Sequence, residues 1–308
     1  MLDVDTFLTT VYVAVDEYCQ TRLRESRLGP PSSVSPSEVV PLALFSQWAE
    51  FPSERAFYRY AQRHLRAAFP TLPHRRQFNR LVRPHHDRIV RGALQFAQLL
   101  DVAQAPYEVL DCLGIAVRHV HRRGHGWLVG IADRHWCSRL GWFFGLTVLT
   151  AVTPEGVITG FGGAPGATTE RPFTDDFLAQ RQLPDPPVAS GGRPAPSQPY
   201  LADTGFAGRA VETHLRQAYG VSLVASPPRG SARRWPTAAR RWAASHRQII
   251  ETVHERLLQT TRLERERPHA LDGLLARLAA KVGLHNFCCW LNRQRAQPLL
   301  AVADLIDW

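Results

Sequence analysis

The chain has 308 residues, of which 44% are hydrophobic, and it carries a formal net charge of +10 with an isoelectric point near 10. This is enough for two domains and a proper hydrophobic core. The positive excess is almost entirely arginine, since Lys281 is the only lysine. Arginine makes forked contacts with phosphate, so a polyanion, and first of all nucleic acid, is the expected partner. A GC-rich codon bias would explain arginine in place of lysine, but not the positive balance.

Three features argue against a membrane or secreted protein. The first residues carry acids where a signal peptide needs positive charge. The longest apolar run, residues 141–152, is too short to span a bilayer. The five cysteines are odd in number and form no C-x-x-C pair, which favours reduced thiols. The sequence therefore predicts a cytoplasmic protein without membrane contact.

The first hundred residues follow helical patterns. Apolar residues recur at helical spacing over residues 7–18. Ser35 and Glu38 are spaced as a capping box, with a proline between them at the first helical position. Ser53 is predicted to cap the next helix and Pro73 to open another. These signals predict short helices joined by tight turns.

The predicted helices around residues 53–83 carry many arginines interleaved with aromatic side chains. This pattern is typical of a helix-turn-helix module that offers a basic helix to a DNA groove. The alternative is a helical bundle with a soluble, arginine-rich face. We predict a helical, helix-turn-helix-like DNA-binding region over residues 1–102. Its candidate DNA contacts are Arg55, Arg59, Arg63, Arg75, Arg76 and Arg80.

From residue 103 the pattern changes to β-branched and aromatic runs that are typical of strands. Strands are predicted over 107–120, 127–134, 140–152, 157–163 and 199–206, and helices over 208–219, 244–262 and 268–293. A Pro/Gly-rich loop without periodicity covers residues 184–199. Strands followed by alternating strands and helices predict an α/β domain over residues 103–308.

Three acids occupy informative positions in this region. Asp111 lies within the first strand, Asp203 directly follows a later strand, and Glu251 lies on a helix. Converging carboxylates can hold Mg²⁺ together with substrate phosphates, and a pair of such ions can serve phosphodiester chemistry. Spacing alone is a weak signal in a chain with 27 acidic residues. Glu255, on the same helix stripe, is the rival of Glu251, and a solvated face with charge pairs four residues apart is the simpler alternative.

The motifs around these acids, taken in order, resemble the DDE transposases of bacterial insertion sequences. VLDCLG surrounds the first aspartate, ADTGFAG surrounds the second, and RQIIETV carries Glu251 and, one turn before it, Arg247. Between the aspartates, GWFFGLTVL and GATTERPFTDDFL are similar to the central block of the family. SEVV, AFYRY and RRQFNRLV are similar to its N-terminal region, so the likeness covers most of the chain.

The resemblance implies a ribonuclease H-like catalytic domain, with a mixed sheet flanked by helices, behind an all-helical DNA-binding region. It implies that Asp111, Asp203 and Glu251 hold two Mg²⁺ ions, which Mn²⁺ can replace. It further implies a homodimer on DNA that binds terminal inverted repeats. Such a protein cleaves the element ends and joins the 3′-hydroxyl to target DNA.

The sequence departs from the family pattern at three places. Thr204 stands where a lysine is common, residues 145–149 lack the basic residue of many relatives, and Ala244 and Leu258 replace the outer positions of the longer third motif. Two other interpretations stay open. One is a non-catalytic DNA-binding protein derived from a transposase, and the other is a ribonuclease H-like nuclease that does not join strands.

The segment HVHRRGH, residues 119–125, combines histidines and arginines. His119 and His121 have the spacing of metal ligands on one strand face. The neighbouring arginines oppose a cation, however, and we predict a basic hairpin that contacts DNA instead of a zinc site. The candidate DNA contacts in this part of the chain are Arg118, Arg122, Arg123 and, further on, Arg247.

Overall fold

A computed structural model describes residues 1–22, 34–119, 121, 128–182, 198–228, 230–231, 234–268 and 270–308. The N-terminal part contains strand β1 (Leu2–Asp3) and helices α1 (Val4–Arg22), α2 (Pro36–Phe45), α3 (Glu54–His64), α4 (Arg75–Val82) and α5 (His86–Gln98).

Two predicted helix starts are confirmed by their capping contacts. The Glu38 carboxylate accepts a hydrogen bond from the Ser35 backbone N–H at 2.8 Å, and α2 begins at the next residue. The Ser53 hydroxyl accepts from the Ala56 backbone N–H at 3.1 Å, which satisfies one of the free donors at the start of α3.

The remainder of the chain forms a mixed sheet covered by helices, so the predicted α/β class is confirmed. The strands are β2 (Glu108–Arg118), β3 (Asp133–Cys137), β4 (Gly141–Val152), β5 (Ile158–Pro165), β6 (Tyr200–Ala202) and β7 (Leu223–Ala225). The helices are α6 (Glu170–Arg181), α7 (Arg209–Tyr219), α8 (Thr237–Gln259) and α9 (Leu271–Gln294). A short strand, β8 (Ile306–Asp307), pairs in parallel with β1.

The sheet has the order β3-β4-β2-β6-β7. Strand β4 runs antiparallel to β2, β3 and β5, and β5 pairs with the second half of β4. Strands β6 and β7 continue the sheet in parallel with β2. The antiparallel strands need only short turns, whereas each parallel step requires a longer crossover, and α6 and α7 lie in these crossovers.

One predicted strand, over residues 127–134, is wrong for most of its length. Residues 128–132 form a turn in which the backbone N–H groups of Ile131 and Ala132 both donate to the Leu128 carbonyl. Leu128 and Gly130 have φ angles of 61° and 83°, which a strand cannot accommodate. Leu128 is buried beside the sheet, so its apolar character reflects packing in a turn.

Other elements differ from the predictions in smaller ways. Helix α8 begins at Thr237, seven residues before the predicted start at 244, because its first turns are largely exposed and show no apolar stripe. Strand β7 was not predicted, since three residues are too short for a pattern. Apart from its last two residues, the predicted loop 184–199 lies outside the described residues.

The two faces of the sheet bury different layers. Leu113 and Val148 lie on one face, in a core shared with α8, α9 and the N-terminal helices. Leu110 and Leu149 lie on the other face and pack against α6 and α7. Helices of residues 1–102 therefore share a core with the sheet, while the predicted boundary at residue 102 stays a prediction.

Helix α9 is the central helix of the first layer. Phe287 of α9 packs edge-on against Phe7 of α1 and Phe96 of α5, each at 5.2 Å between ring centroids. Cys288 and Cys289 are fully buried beside it, and all five cysteines are free. Within the described residues, no helix combines the length and apolar character needed to cross a membrane.

Asn286 links this helix to two neighbouring elements. Its side-chain amide donates to the carbonyls of Ala93 and Ile158 at 2.9 and 2.8 Å, and its carbonyl accepts from the Ile158 N–H at 3.1 Å. Asn286 is fully buried, so these groups have no access to water.

We predict that Asn286→Ala lowers the free energy of unfolding by about 3 kcal/mol, because it leaves buried backbone groups of α5 and β5 unsatisfied. Urea denaturation of both proteins measures this difference. Gln294→Ala, at an exposed position of the same helix, is the matched control. Equal losses in the two variants would contradict the proposed role of Asn286.

Candidate acidic site between strands β2 and β6 and helix α8

The parallel pairing of β2 with β6 brings two of the predicted acids together. Glu108 pairs with Tyr200 and Val109 with Leu201. Continued by two residues, the same register places Asp203 beside Asp111. Neighbouring residues of parallel strands point to the same face, so the two carboxylates share one region of the sheet.

Asp203 itself ends the strand. Its Oδ1 accepts a hydrogen bond from the Gly205 backbone N–H at 2.8 Å, which turns the chain into the short 3₁₀ helix Thr204–Phe206. The Arg171 guanidinium donates to the carbonyls of Gly205 and Ala207 and holds this turn against α6. Asp203 thus lies at the carboxyl end of a parallel strand, where open α/β sheets commonly bind ligands.

A buried ion pair sets the register that aligns the aspartates. Arg181 is completely buried, and its Nη1 donates to Glu108 Oε2 at 2.9 Å and to the Tyr200 hydroxyl at 2.8 Å. Glu108 and Tyr200 are the first residues of β2 and β6, and they pair directly. The same side chain therefore contacts both strands at the level where their pairing begins.

Helix α8 covers the sheet face that carries Asp111. Thr150 is the cross-strand partner of Asp111, and its hydroxyl lies 2.7 Å from Nε2 of His254 in α8. Ile250 and Val253 of α8 pack into the core on the same side. Burial lowers the pKa of His254 to about 4, so the ring is neutral at pH 7.

Helix α8 also carries an arginine and a glutamate close to Asp111. Arg247 Nη2 lies 3.9 Å from Asp111 Oδ2, and both side chains are about one-fifth exposed. Glu251 follows Arg247 by one helical turn and is exposed. Glu255 lies a further turn along and accepts a hydrogen bond from Gln259 at 2.9 Å.

Asp111 has a raised pKa. Burial raises its pKa from the usual 3.8 to about 6, and the negative charges of Asp203 and Glu251 add to the increase. A hydrogen bond from the Cys112 N–H, at 2.7 Å, and the charge of Arg247 act in the opposite direction. The three predicted acids therefore lie in one electrostatically coupled region, whereas Glu255 is not among the charges that act on Asp111.

Glu170, which the sequence analysis did not single out, belongs to the same region. A Cβ atom at Gly205 would lie 3.1 Å from both Asp203 Oδ1 and the Glu170 carboxylate carbon. The charge of Glu170 also contributes, after burial and Asp111, to the raised pKa of Cys112. The sequence does not predict this role, because an acid in the first turn of a helix is explained by its favourable interaction with the helix dipole.

The acidic region offers few donors for a metal ion. Within the described residues, no group of three or more His, Cys, Asp or Glu side chains is arranged to hold a metal ion. Magnesium, however, is commonly held by one or two carboxylates, with waters and substrate phosphates as the other ligands. Asp111 and Asp203 offer this smaller donor set, and burial, which raises the pKa of Asp111, disfavours its negative charge unless a cation is bound.

The candidate DNA contacts of the N-terminal helices lie largely on the surface. Arg55, Arg59 and Arg63 are exposed and spaced four residues apart on α3, so they form one stripe. Arg76 and Arg80 are exposed on α4, while Arg75 lies 3.8 Å from Glu54.

The predicted basic hairpin is only partly described. The guanidinium of Arg118, the last residue of β2, lies 3.9 Å from the centre of the Phe144 ring. The rings of His119 and His121 are 5.4 Å apart. Arg122 and Arg123, as well as His125, lie outside the described residues.

In comparisons with protein-family models, curated proteins and solved structures, nothing matches this chain. The interpretation of the acidic site therefore depends on its own geometry and electrostatics.

We predict that Asp111→Asn stabilises the protein in a pH-dependent way. Because the pKa of Asp111 is higher in the folded than in the unfolded state, its contribution to stability is present below about pH 4 and is lost as the pH rises through about 6. Asparagine keeps the acceptor for the Cys112 N–H but carries no charge. At pH 8 the variant should be about 2 to 3 kcal/mol more stable than wild type, and at pH 4 equally stable.

Urea denaturation at pH 4, 6 and 8 measures this difference. Asp176→Asn, which removes an exposed acid of α6, is the control and should follow the wild-type profile. A constant difference between Asp111→Asn and wild type at all three pH values would show that the charge of Asp111 is not the cause.

Proposed function

We propose that this protein is a DDE-type transposase that binds terminal inverted repeats, cleaves DNA at the element ends and joins the 3′-hydroxyl to target DNA. The observation that carries the proposal is the juxtaposition of Asp111 and Asp203 on neighbouring parallel strands, with Arg247 and Glu251 presented by α8. A group of acids, one of them with a raised pKa, beside an arginine is suited to a phosphate substrate and a divalent cation.

The sheet supports a ribonuclease H-like fold as part of this proposal. Strands β5, β4 and β2 are antiparallel neighbours, and β6 and β7 continue the sheet in parallel. The first acid lies on β2, the second directly after β6, and the third on the helix that follows β7. This is the strand–strand–helix placement of carboxylates that the resemblance implies.

Asp111, Asp203 and Glu251 would hold the two Mg²⁺ ions, and Mn²⁺ could replace them. When bound, the ions would activate the attacking oxygen and stabilise the negative charge on the leaving oxygen of the phosphodiester. The carboxylates act as ligands and carry no proton in the reaction. At pH 7 to 8 Asp111 is largely ionised, since its pKa is about 6.

Arg247 would contact the phosphate under attack. Its Nε atom is buried and has no hydrogen-bond partner within the described residues. Its Nη2 lies near Asp111, which keeps the guanidinium at the site. A phosphate oxygen would accept a charge-assisted hydrogen bond from the exposed part of the guanidinium.

DNA binding would use the positive surface of the chain. The exposed stripe Arg55, Arg59 and Arg63 on α3 provides charges that neutralise backbone phosphates. Joining requires two element ends in one complex, so we propose a homodimer on DNA.

Two observations favour a second candidate, a non-catalytic DNA-binding protein derived from a transposase. The described residues contain no group of three potential ligands already arranged around a metal. A threonine also stands at residue 204, where the resemblance implies a lysine. Cleavage measurements separate this candidate from the enzyme, and detection of joined products separates a transposase from a nuclease.

The test is cleavage of a labelled duplex that carries the element end, with Mg²⁺ or Mn²⁺, by wild type and Asp203→Asn. Asparagine preserves the hydrogen bond to the Gly205 N–H, so the turn stays intact while the charge is lost. We predict a loss of cleavage of more than about 100-fold, since even partners of metal ligands typically contribute 10–100-fold.

Glu251→Gln and Glu255→Gln form a matched pair on the same helix stripe. We expect Glu251→Gln to abolish cleavage and Glu255→Gln to leave it close to wild type. DNA binding by all variants should remain, because the arginines are unchanged. Binding without cleavage by wild type would contradict the enzyme and leave the non-catalytic candidate.

A further inference from the structure

A cavity of about 440 Å³ lies between the N-terminal helices and the start of α9, beyond the C-terminal end of α8. Its lining comes from the connection between α2 and α3, the end of α4, residues 262–270 and the first half of α9. We call it the basic pocket, because six of its lining residues are cationic: Arg83, Arg262, Arg265, Arg267, Arg277 and Lys281. The acids that line it are Glu54 and Glu266.

At the floor of the basic pocket, an acidic side chain compensates the positive charges. Glu266 lies 3.0 Å from Lys281 Nζ and 2.6 Å from Arg277 Nε. Lys281 also donates to Gln47 Oε1 at 2.9 Å and to the Thr261 carbonyl at 2.5 Å. With three acceptors, the buried ammonium has no capacity left for a ligand.

The rim of the basic pocket, in contrast, carries arginines that form no ion pair within the described residues. Arg262 and Arg265 form no ion pair with an acid of the described residues, and the buried Nε of Arg262 has no hydrogen-bond partner there. Arg267 donates to the backbone carbonyls of Glu264 and Glu266 and to no acidic side chain that the structure describes. The charge of Glu266 acts on Arg262, whereas Arg265 and Arg267 are exposed and keep their positive charge available to a ligand.

Two further guanidinium groups converge on the first turn of α9. The position that a Cβ atom would occupy at Gly273 is 3.5 Å from both Arg83 Nε and Arg277 Nη1. Asp272 lies 3.8 Å from Arg83 and compensates part of this charge. The absence of a side chain at Gly273 leaves space between the guanidinium groups, and the N-terminus of a helix favours an anion.

We propose that the basic pocket binds a backbone phosphate of the nucleic acid on which the acidic site acts. Guanidinium groups from separate segments converge there, and the planar fork of arginine matches phosphate oxygens. Arg265 and Arg267 are exposed, so the positive charge extends from the basic pocket onto the surrounding surface. A nucleic acid is long enough to contact both regions, whereas a small anion would occupy only the pocket. This inference rests on the proposed action on DNA.

The position of the pocket fits an extended substrate. Glu251 and the end of α8 at Gln259 are eight residues apart, or about 12 Å along the helix axis. Each DNA strand carries one phosphate per roughly 3.4 Å of axis. Along about 12 Å one DNA strand carries roughly three to four phosphates, so a duplex that runs along α8 from the acidic site would reach the basic pocket.

The test compares duplex binding by wild type, Arg265→Gln and Arg295→Gln, measured by fluorescence anisotropy over a series of salt concentrations. Arg295 is an exposed arginine that caps the other end of α9, about 33 Å from Gly273 along the helix axis. We predict that Arg265→Gln weakens binding several-fold and lowers the slope of log Kobs against log[salt] by about 1. Arg295→Gln should match wild type in both quantities.

Thermal melting checks that both variants fold, and inorganic phosphate is the probe for a small-anion site. Equal slopes for Arg265→Gln and Arg295→Gln would overturn the inference. So would a wild-type protein that binds no duplex but melts at higher temperature with phosphate, since the ligand would then be a small anion. If the slopes differ as predicted while wild type does not cleave DNA, the pocket stands and the catalytic proposal fails.

Discussion

The acidic site depends on the buried contact of Arg181 with Glu108 and Tyr200. Removing one partner of a buried ion pair leaves an uncompensated charge, which is strongly destabilising. The contact is made at the first paired residues of β2 and β6, so it sets which residues lie side by side further along. A slip of one residue would send either Asp111 or Asp203 to the opposite face of the sheet. An ion pair remote from the carboxylates thus aligns them.

Helix α8 completes the site through a second buried contact. The neutral ring of His254 lies 2.7 Å from the hydroxyl of Thr150, which faces Asp111 across the β2–β4 pair. Arg247 and Glu251 are seven and three residues before His254, so this contact determines where their side chains emerge. The helix thereby brings a positive and a negative charge to a largely buried aspartate whose own ionisation is unfavourable. An ionisable side chain whose charged form is disfavoured by burial is characteristic of functional sites.

Local signals in the sequence were sufficient for much of the fold. The caps at Ser35 and Ser53 predicted two helix starts, and apolar runs predicted β2, β4 and β5, because these elements follow from nearest-neighbour chemistry. The sequence around Leu128 predicts a strand where the structure has a turn, since burial and strand propensity give the same apolar pattern. Glu170 and the basic pocket were not predicted. Their partners are separated from them by many residues, and only the packing of α6 and α9 brings them together.

The distribution of positive charge suggests that binding and chemistry respond differently to pH. The single lysine is enclosed by Glu266, Gln47 and Thr261, so the positive charge offered to solvent is carried by arginine. Guanidinium groups stay charged at any working pH, and their attraction for phosphate does not change between pH 5 and 8. Asp111, with a pKa of about 6, loses its charge within that range. In the proposed enzyme, a bound cation would favour the ionised carboxylate, so metal and proton would compete for Asp111 while the arginines keep their charge.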